Sequence, residues 1–155
     1  ISYHIHHKLN VSIVRIFNTY GPRMKIDDGR VLPTFIYQAS KNLDITVNGD
    51  GNQTRSFCYV DDLVDGFIKS MDSNYAYPIN IGNDDEITIN EIASIIKTLL
   101  NSNSKIIYNK LPEDDPLKRR PDISLAKKIL KWNPNVSKEV GFKHLINYYR
   151  VNKLI

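Results

Sequence analysis

Two arginines stand where they could grip an anion. Arg55 follows the run Asn48-Gly49-Asp50-Gly51-Asn52-Gln53-Thr54, in which Asp50-Gly51 supplies positive φ cheaply and Gly49 adds freedom. Arg119 lies in Lys118-Arg119-Arg120, fenced by Pro112, Pro116 and Pro121 and preceded by the carboxylates Asp114 and Asp115. The prolines narrow the unfolded ensemble and stiffen the loop. A planar guanidinium binds phosphate oxygens in pairs. Two such groups converging on one pocket would clamp a pyrophosphate; two unrelated surface arginines are the alternative, and residue types alone leave both open.

Other candidates carry weaker chemistry. Asn18 and Thr19 follow Val11–Phe17, an apolar, β-rich run. Ligands of open α/β sheets sit beyond the carboxyl ends of strands, although ordinary turn chemistry accounts for an asparagine there as well. His4 and His7 could share a helix face, but without a third ligand and its supporting shell no metal site is expected. His144 reads as structural. The single cysteine, Cys58, reads as a buried core thiol, and one cysteine builds no disulfide framework, which points to a reducing compartment. A glycine-rich phosphate loop, a cysteine pair and a nucleophile elbow are all missing from the 155 residues.

The elements that must position these groups read as follows. Ile1 to Leu9 reads as the tail of a helix. Val11–Phe17 reads as a parallel strand covered on both faces. Val31–Lys41 is a helix with Leu32, Phe35, Ile36 and Ala39 on one face and Pro33 in its first turn. Ile45–Val47 is a strand entering a hairpin turn, after which Phe57, Tyr59 and Val60 suit a half-buried strand. Asp61 or Asp62 would cap a helix running to Met71, with Leu63, Val64, Phe67, Ile68 and Met71 on its apolar face. Tyr77–Gly82 and Lys105–Tyr108 are short strands. Thr88 and Glu91 form a capping box, and Ser124 and Ser137 would cap two further helices. Strands alternate with helices, so the fold class is α/β.

A hydrophobic content of 41% with 25% charged residues is globular rather than disordered. The net charge of +4 is too small and too dispersed to imply nucleic acid as a partner. No apolar run is long enough to span a bilayer, so a membrane is not an expected partner and the cytoplasm is the default location.

Three segments, in order, carry a resemblance: Arg15-Ile16-Phe17-Asn18-Thr19-Tyr20-Gly21-Pro22-Arg23-Met24, Gln53-Thr54-Arg55-Ser56-Phe57-Cys58-Tyr59-Val60-Asp61-Asp62-Leu63, and Asp114-Asp115-Pro116-Leu117-Lys118-Arg119-Arg120-Pro121-Asp122-Ile123. Together they resemble the extended short-chain dehydrogenase/reductase family of NAD-dependent epimerases and dehydratases, and within it the UDP-glucuronate decarboxylases. The third segment discriminates best within the family.

The resemblance implies a Rossmann-type domain that holds NAD, with a small mixed α/β domain that binds the UDP-sugar. It implies oxidation of the sugar C4 hydroxyl of UDP-glucuronate, loss of CO₂ from the resulting β-keto acid, and reduction back to UDP-xylose. By motif match, Asn18 contacts the UDP-sugar, and Thr19 and Arg30 lie near NAD. Gln53 and Arg55 hold the diphosphate side, and Arg119 stands at the sugar carboxylate as anchor and proton donor. A guanidinium gives up its proton reluctantly, which makes delivery through water an equal alternative. Tyr3, with His7 four residues on, matches a Tyr-x-x-x-His helix that reaches the substrate.

The resemblance also implies a homodimer as the complete enzyme. The family's glycine-rich NAD loop and its Tyr-x-x-x-Lys pair have no match here, and Asn48 stands where tyrosine is common. The sequence opens at Ile1, in mid-helix by its pattern. Residues 1–155 are therefore expected to be the C-terminal portion, inactive alone, with the NAD-binding half upstream. A 4-epimerase or 4,6-dehydratase of the same family, or a non-catalytic nucleotide-sugar-binding module, are the competing expectations.

Overall fold

The structure is a computed structural model that describes residues 1–113 and 116–155; the carboxylate pair Asp114–Asp115 lies outside the described residues. Its elements are α1 (Ser2–His7), β1 (Ile13–Ile16), β2 (Thr19–Tyr20), α2 (Val31–Ser40), β3 (Ile45–Asn48), β4 (Thr54–Ser56), β5 (Cys58–Tyr59), α3 (Val60–Asp72), β6 (Pro78–Ile81), β7 (Glu86–Thr88), α4 (Ile89–Leu100), β8 (Ile106–Asn109), β9 (Lys118–Arg119), α5 (Ser124–Ile129) and α6 (Lys138–Val151).

Parallel pairs dominate: β1 with β6, β2 with β5, and β3 with β8. In the fourth sheet β4 is central, antiparallel to β7 and parallel to β9. Parallel strands need crossovers, and helices supply them. This is the α/β class expected from the alternation of elements.

The hairpin expected at Gly49–Gly51 does not form. β3 pairs with β8, and β4 pairs with β7 and β9, so the strands flanking the turn never meet. Pairing with β8 puts Ile45 and Val47 into the core with α2 and α4, a burial that a free two-stranded ribbon lacks. The turn is tied instead to the start of α4: Asn90 N donates to Gly51 O at 3.1 Å and Asn90 Nδ2 to Asp50 O at 3.0 Å. Gly51 has φ +76°, and the Asn90 side chain fills the place of a Cβ, so glycine is required on both counts.

β1 is parallel, as read from its apolar run, but it is not covered on both faces. Its only strand partner among the described residues is β6, and Arg15 and Ile16 are exposed. The Phe57–Val60 run also differs from expectation. Phe57, Cys58 and Tyr59 are all buried, and Val60 already opens α3.

Neither Asp61 nor Asp62 caps α3; Tyr59 holds the N-cap position and no side chain bonds there. Asp62 is buried and turns to the segment before α6, accepting from Asn135 N at 3.1 Å and Val136 N at 3.0 Å. A buried carboxylate needs donors, and these two part-buried backbone N–H groups supply them. The buried face of α3 is Asp62, Leu63, Gly66 and Ser70, while Val64, Ile68 and Met71 are exposed. Ser124 is likewise no cap; Ile123 occupies that position, and Asp122 Oδ1 accepts from Ser124 N at 2.9 Å. The capping box of α4 is present in both directions, and Ser137 caps α6.

Two apolar clusters result. The larger joins α2, α4 and α6 to β3, with Phe35, Ile36, Ile92, Ile96, Phe142 and Leu145 buried inside. The smaller surrounds Trp132, whose Nε1 donates to Asp62 O at 3.0 Å. Gly66 admits this tryptophan: a Cβ there would lie 2.6 Å from Ile81 Cγ2 and 3.2 Å from Trp132 Cε2. Gly66→Ala gains about 1 kcal/mol of helix propensity but overpacks two buried side chains, at a cost of about 1–3 kcal/mol. A lowered urea midpoint is the expected result; a raised one would show that the helices can spread. No helix among the described residues is long and apolar enough to cross a membrane.

Candidate functional site

The site grows from β4. Side chains of a strand alternate between faces, and register partners share a face. Arg55 pairs with Ile87 on one side and Arg119 on the other, so these three share the front of the sheet. Thr54, Ser56, Glu86 and Lys118 share the rear. The two arginines, far apart along the chain, are thus ladder neighbours. Arg55 is only 8% exposed, and one of its amino groups donates to Thr54 O at 2.8 Å. Arg119 is exposed at the mouth.

Two cavities open here. The first, of about 610 Å³, has apolar walls from Phe35, Phe57 and Ile89 and polar ones from Asn18, Gln53 and Arg55. The second, of about 460 Å³, is lined by Ile16, Phe17, Asn18, Thr19, Arg30 and Arg119. Asn18, Thr19 and Arg30 belong to both, so the cavities share a wall. Each volume suits a small organic ligand.

Each lining residue is set by its element. Asn18 and Thr19 follow the carboxyl end of β1, where the sequence pattern put them. The Asn18 carbonyl accepts from Cys58 N at 2.8 Å, and Thr19 Oγ1 donates to Phe17 O at 2.8 Å. Arg30 is the N-cap residue of α2, with its Nε 3.0 Å from Asp28 Oδ2. The first turn of α2 borders the first cavity and adds the partial positive charge of a helix start. Gln53 is buried, and its Nε2 donates to Asn48 O.

Tyr3 does not join them. It lines neither cavity, is 67% exposed and stacks on His7 at 5.4 Å. His144 Nδ1 lies 3.2 Å from Tyr59 Oη, outside both cavities. Burial, then the Asp62 charge, pushes the Cys58 thiol up to about 12, so it stays protonated and inert. Residue types missed Pro112 and Glu113, which line the first cavity. Their position in the proline-fenced loop was the available signal.

The arrangement offers a cationic mouth over an apolar pocket with amide groups at its rim, which suits a ring system joined to anionic groups. The model of the NAD dependent epimerase/dehydratase family matches residues 1–82. The chain is 48% identical over 149 residues to UDP-glucuronic acid decarboxylase 3 of Arabidopsis thaliana, covering 96% of this chain and 44% of that protein. It is 48% identical over 141 residues to UDP-glucuronic acid decarboxylase 1 of Danio rerio, covering 91% of this chain and 34% of that protein. The chain therefore spans less than half the length of these relatives.

Among solved structures, UDP-glucose 4-epimerase of Thermotoga maritima with UDP-glucose superposes with a TM-score of 0.92 at 27% identity, over 98% of this chain and 50% of that one. UDP-glucuronic acid 4-epimerase of Bacillus cereus, in complex with UDP-glucuronic acid and NAD, gives 0.85 at 28%, over 99% of this chain and 49% of that one.

Proposed function

This chain belongs to the NAD dependent epimerase/dehydratase family, and from that premise we propose that it supplies the UDP-sugar site of a UDP-glucuronate decarboxylase. The observation that carries the reading is the pairing of Arg55 with Arg119 at the shared mouth of two cavities. The likeness to decarboxylases over nearly the whole chain supports the choice of reaction. Residues 1–155 are proposed as the C-terminal portion of the enzyme, with the NAD-binding half supplied by sequence outside them.

In this reading the nucleotide base lies in the apolar pocket beside Phe35 and Phe57. Gln53 and Arg55 take the diphosphate, Asn18 takes the sugar, and Arg119 takes the sugar carboxylate. A guanidinium keeps its proton near neutral pH, so Arg119 acts as an electrostatic anchor and water carries any proton. The residues present fit one flank of NAD: Thr19 and Arg30 stand at the open carboxyl end of a parallel strand. The chemistry that NAD supplies when bound is reversible oxidation at the sugar C4. Tyr3, outside both cavities, has no part in this reading.

Product analysis of the complete enzyme with UDP-glucuronate and NAD tests the reaction. UDP-xylose with CO₂ is the expected result. An epimer would make the chain part of a 4-epimerase, a 4-keto-6-deoxy sugar part of a dehydratase, and binding without turnover a nucleotide-sugar-binding module. Arg119→Ala should slow CO₂ release more than it weakens UDP binding; equal losses would make Arg119 a plain phosphate ligand.

A further inference from the structure

A single carboxylate holds both arginine-bearing strands from behind. Glu86 Oε1 accepts from Thr54 Oγ1 at 2.7 Å, one residue before Arg55. Glu86 Oε2 lies 3.2 Å from Lys118 Nζ and 3.7 Å from Arg120 Nη1, the residues on either side of Arg119. Because strand side chains alternate, whatever draws Thr54, Lys118 and Arg120 to the rear turns Arg55 and Arg119 to the front. The register agrees: Ser56 pairs with Glu86, and Thr54 pairs with both Thr88 and Lys118.

Glu86 is itself anchored. Lys138 Nζ donates to the Glu86 carbonyl at 3.2 Å and lies 2.6 Å from Asp85 Oδ2, which ties β7 to the start of α6. The Thr54 hydroxyl, then Lys118 and Arg120, holds the Glu86 carboxyl below the usual carboxylate range, so it is charged near neutral pH. The strand it restrains needs restraint. β9 is two exposed residues long, and three consecutive cations repel one another.

We propose that Glu86 is a positioning residue: from the rear of the sheet it sets Arg119 facing the cleft beside Arg55, and so tunes selection of a ligand bearing a carboxylate beyond its diphosphate. The inference rests on the nucleotide-sugar reading above and deepens it, since Glu86 touches no ligand itself.

The test uses Glu86→Ala and Glu86→Gln in the complete enzyme, with two readouts. Trypsin cleaves after Lys118 and Arg119 when β9 lifts from β4, while Pro121 blocks cleavage after Arg120. Proteolysis follows the population of the open form, so Glu86→Ala should speed cleavage at these bonds about tenfold. Glu86→Gln should speed it less, because its amide oxygen still accepts from the Thr54 hydroxyl. Calorimetric titration with UDP and with UDP-glucuronate gives the second readout. The preference for UDP-glucuronate should fall about tenfold in Glu86→Ala, the scale of one charge-assisted hydrogen bond, while UDP affinity changes little.

Unchanged cleavage, or equal weakening of both ligands, overturns the proposal; the second outcome would mark Glu86 as merely structural. If the unsubstituted complete enzyme binds neither ligand, the nucleotide-sugar reading is what has failed. Faster cleavage in the same series would still show Glu86 setting the strand of Arg119. Should Glu86→Ala not fold, Glu86→Gln carries both readouts.

Discussion

Arg55→Ala should weaken UDP binding by about 1.5–3 kcal/mol, roughly ten- to 150-fold, because one or more charge-assisted hydrogen bonds are lost from a largely buried position. The side chain projects from the central strand of its sheet and lies beside the apolar walls of the first cavity. Water competes poorly for a phosphate there, and a fork of donors in a low-dielectric setting is worth more than an exposed cation. Arg55→Lys should recover only part of the loss, because an ammonium keeps the charge but not the paired geometry. Titration calorimetry with UDP reads both variants, and a urea midpoint checks that the strand still forms. In the complete enzyme, a UDP affinity within about twofold of the unsubstituted protein, below the smallest loss expected for a charged hydrogen bond, would remove Arg55 from the diphosphate site.

The largest effect on stability is expected from Asp62→Ala. Its buried carboxylate takes the part-buried backbone N–H groups of Asn135 and Val136. Alanine leaves both donors without an acceptor, at about 1–3 kcal/mol each. A total of roughly 2–6 kcal/mol is a large part of the 5–15 kcal/mol typical of a domain. The Trp132 bond runs to the Asp62 backbone carbonyl, so it survives the substitution. Loss should therefore concentrate in the residues leading into α6 and spare the Trp132 cluster. Amide exchange should accelerate at Asn135 and Val136, and the urea midpoint should fall. Asp62→Asn keeps one good acceptor and should lose about half as much. A midpoint unchanged in Asp62→Ala would mean that water satisfies the two donors.

Much of this chain was legible from residue order. The helix over Val31–Ser40, the box at Thr88 and Glu91, and the cap at Ser137 depend on contacts within a few residues, which a short window contains. The placement of Asn18 and Thr19 past a parallel strand was equally local. Expectations failed wherever the outcome depended on a distant partner. Gly49–Gly51 has hairpin chemistry, yet β3 found β8, which buries Ile45 and Val47. Asp62 has helix-cap chemistry, yet it serves a loop much further along the chain. The apolar Val64, Ile68 and Met71 have helical spacing, yet the helix packs through Gly66, where Trp132 needs room.

Sequence by itself determined the alternation of elements, the capping box of α4, the Ser137 cap of α6 and the family likeness, because each is set by backbone preference and near neighbours. Only the tertiary structure decided that Arg55 and Arg119 are ladder partners, and that Glu86 gathers the rear faces of their strands. Those pairings depend on which surfaces are buried together once distant segments meet, and no stretch of the chain contains that information alone.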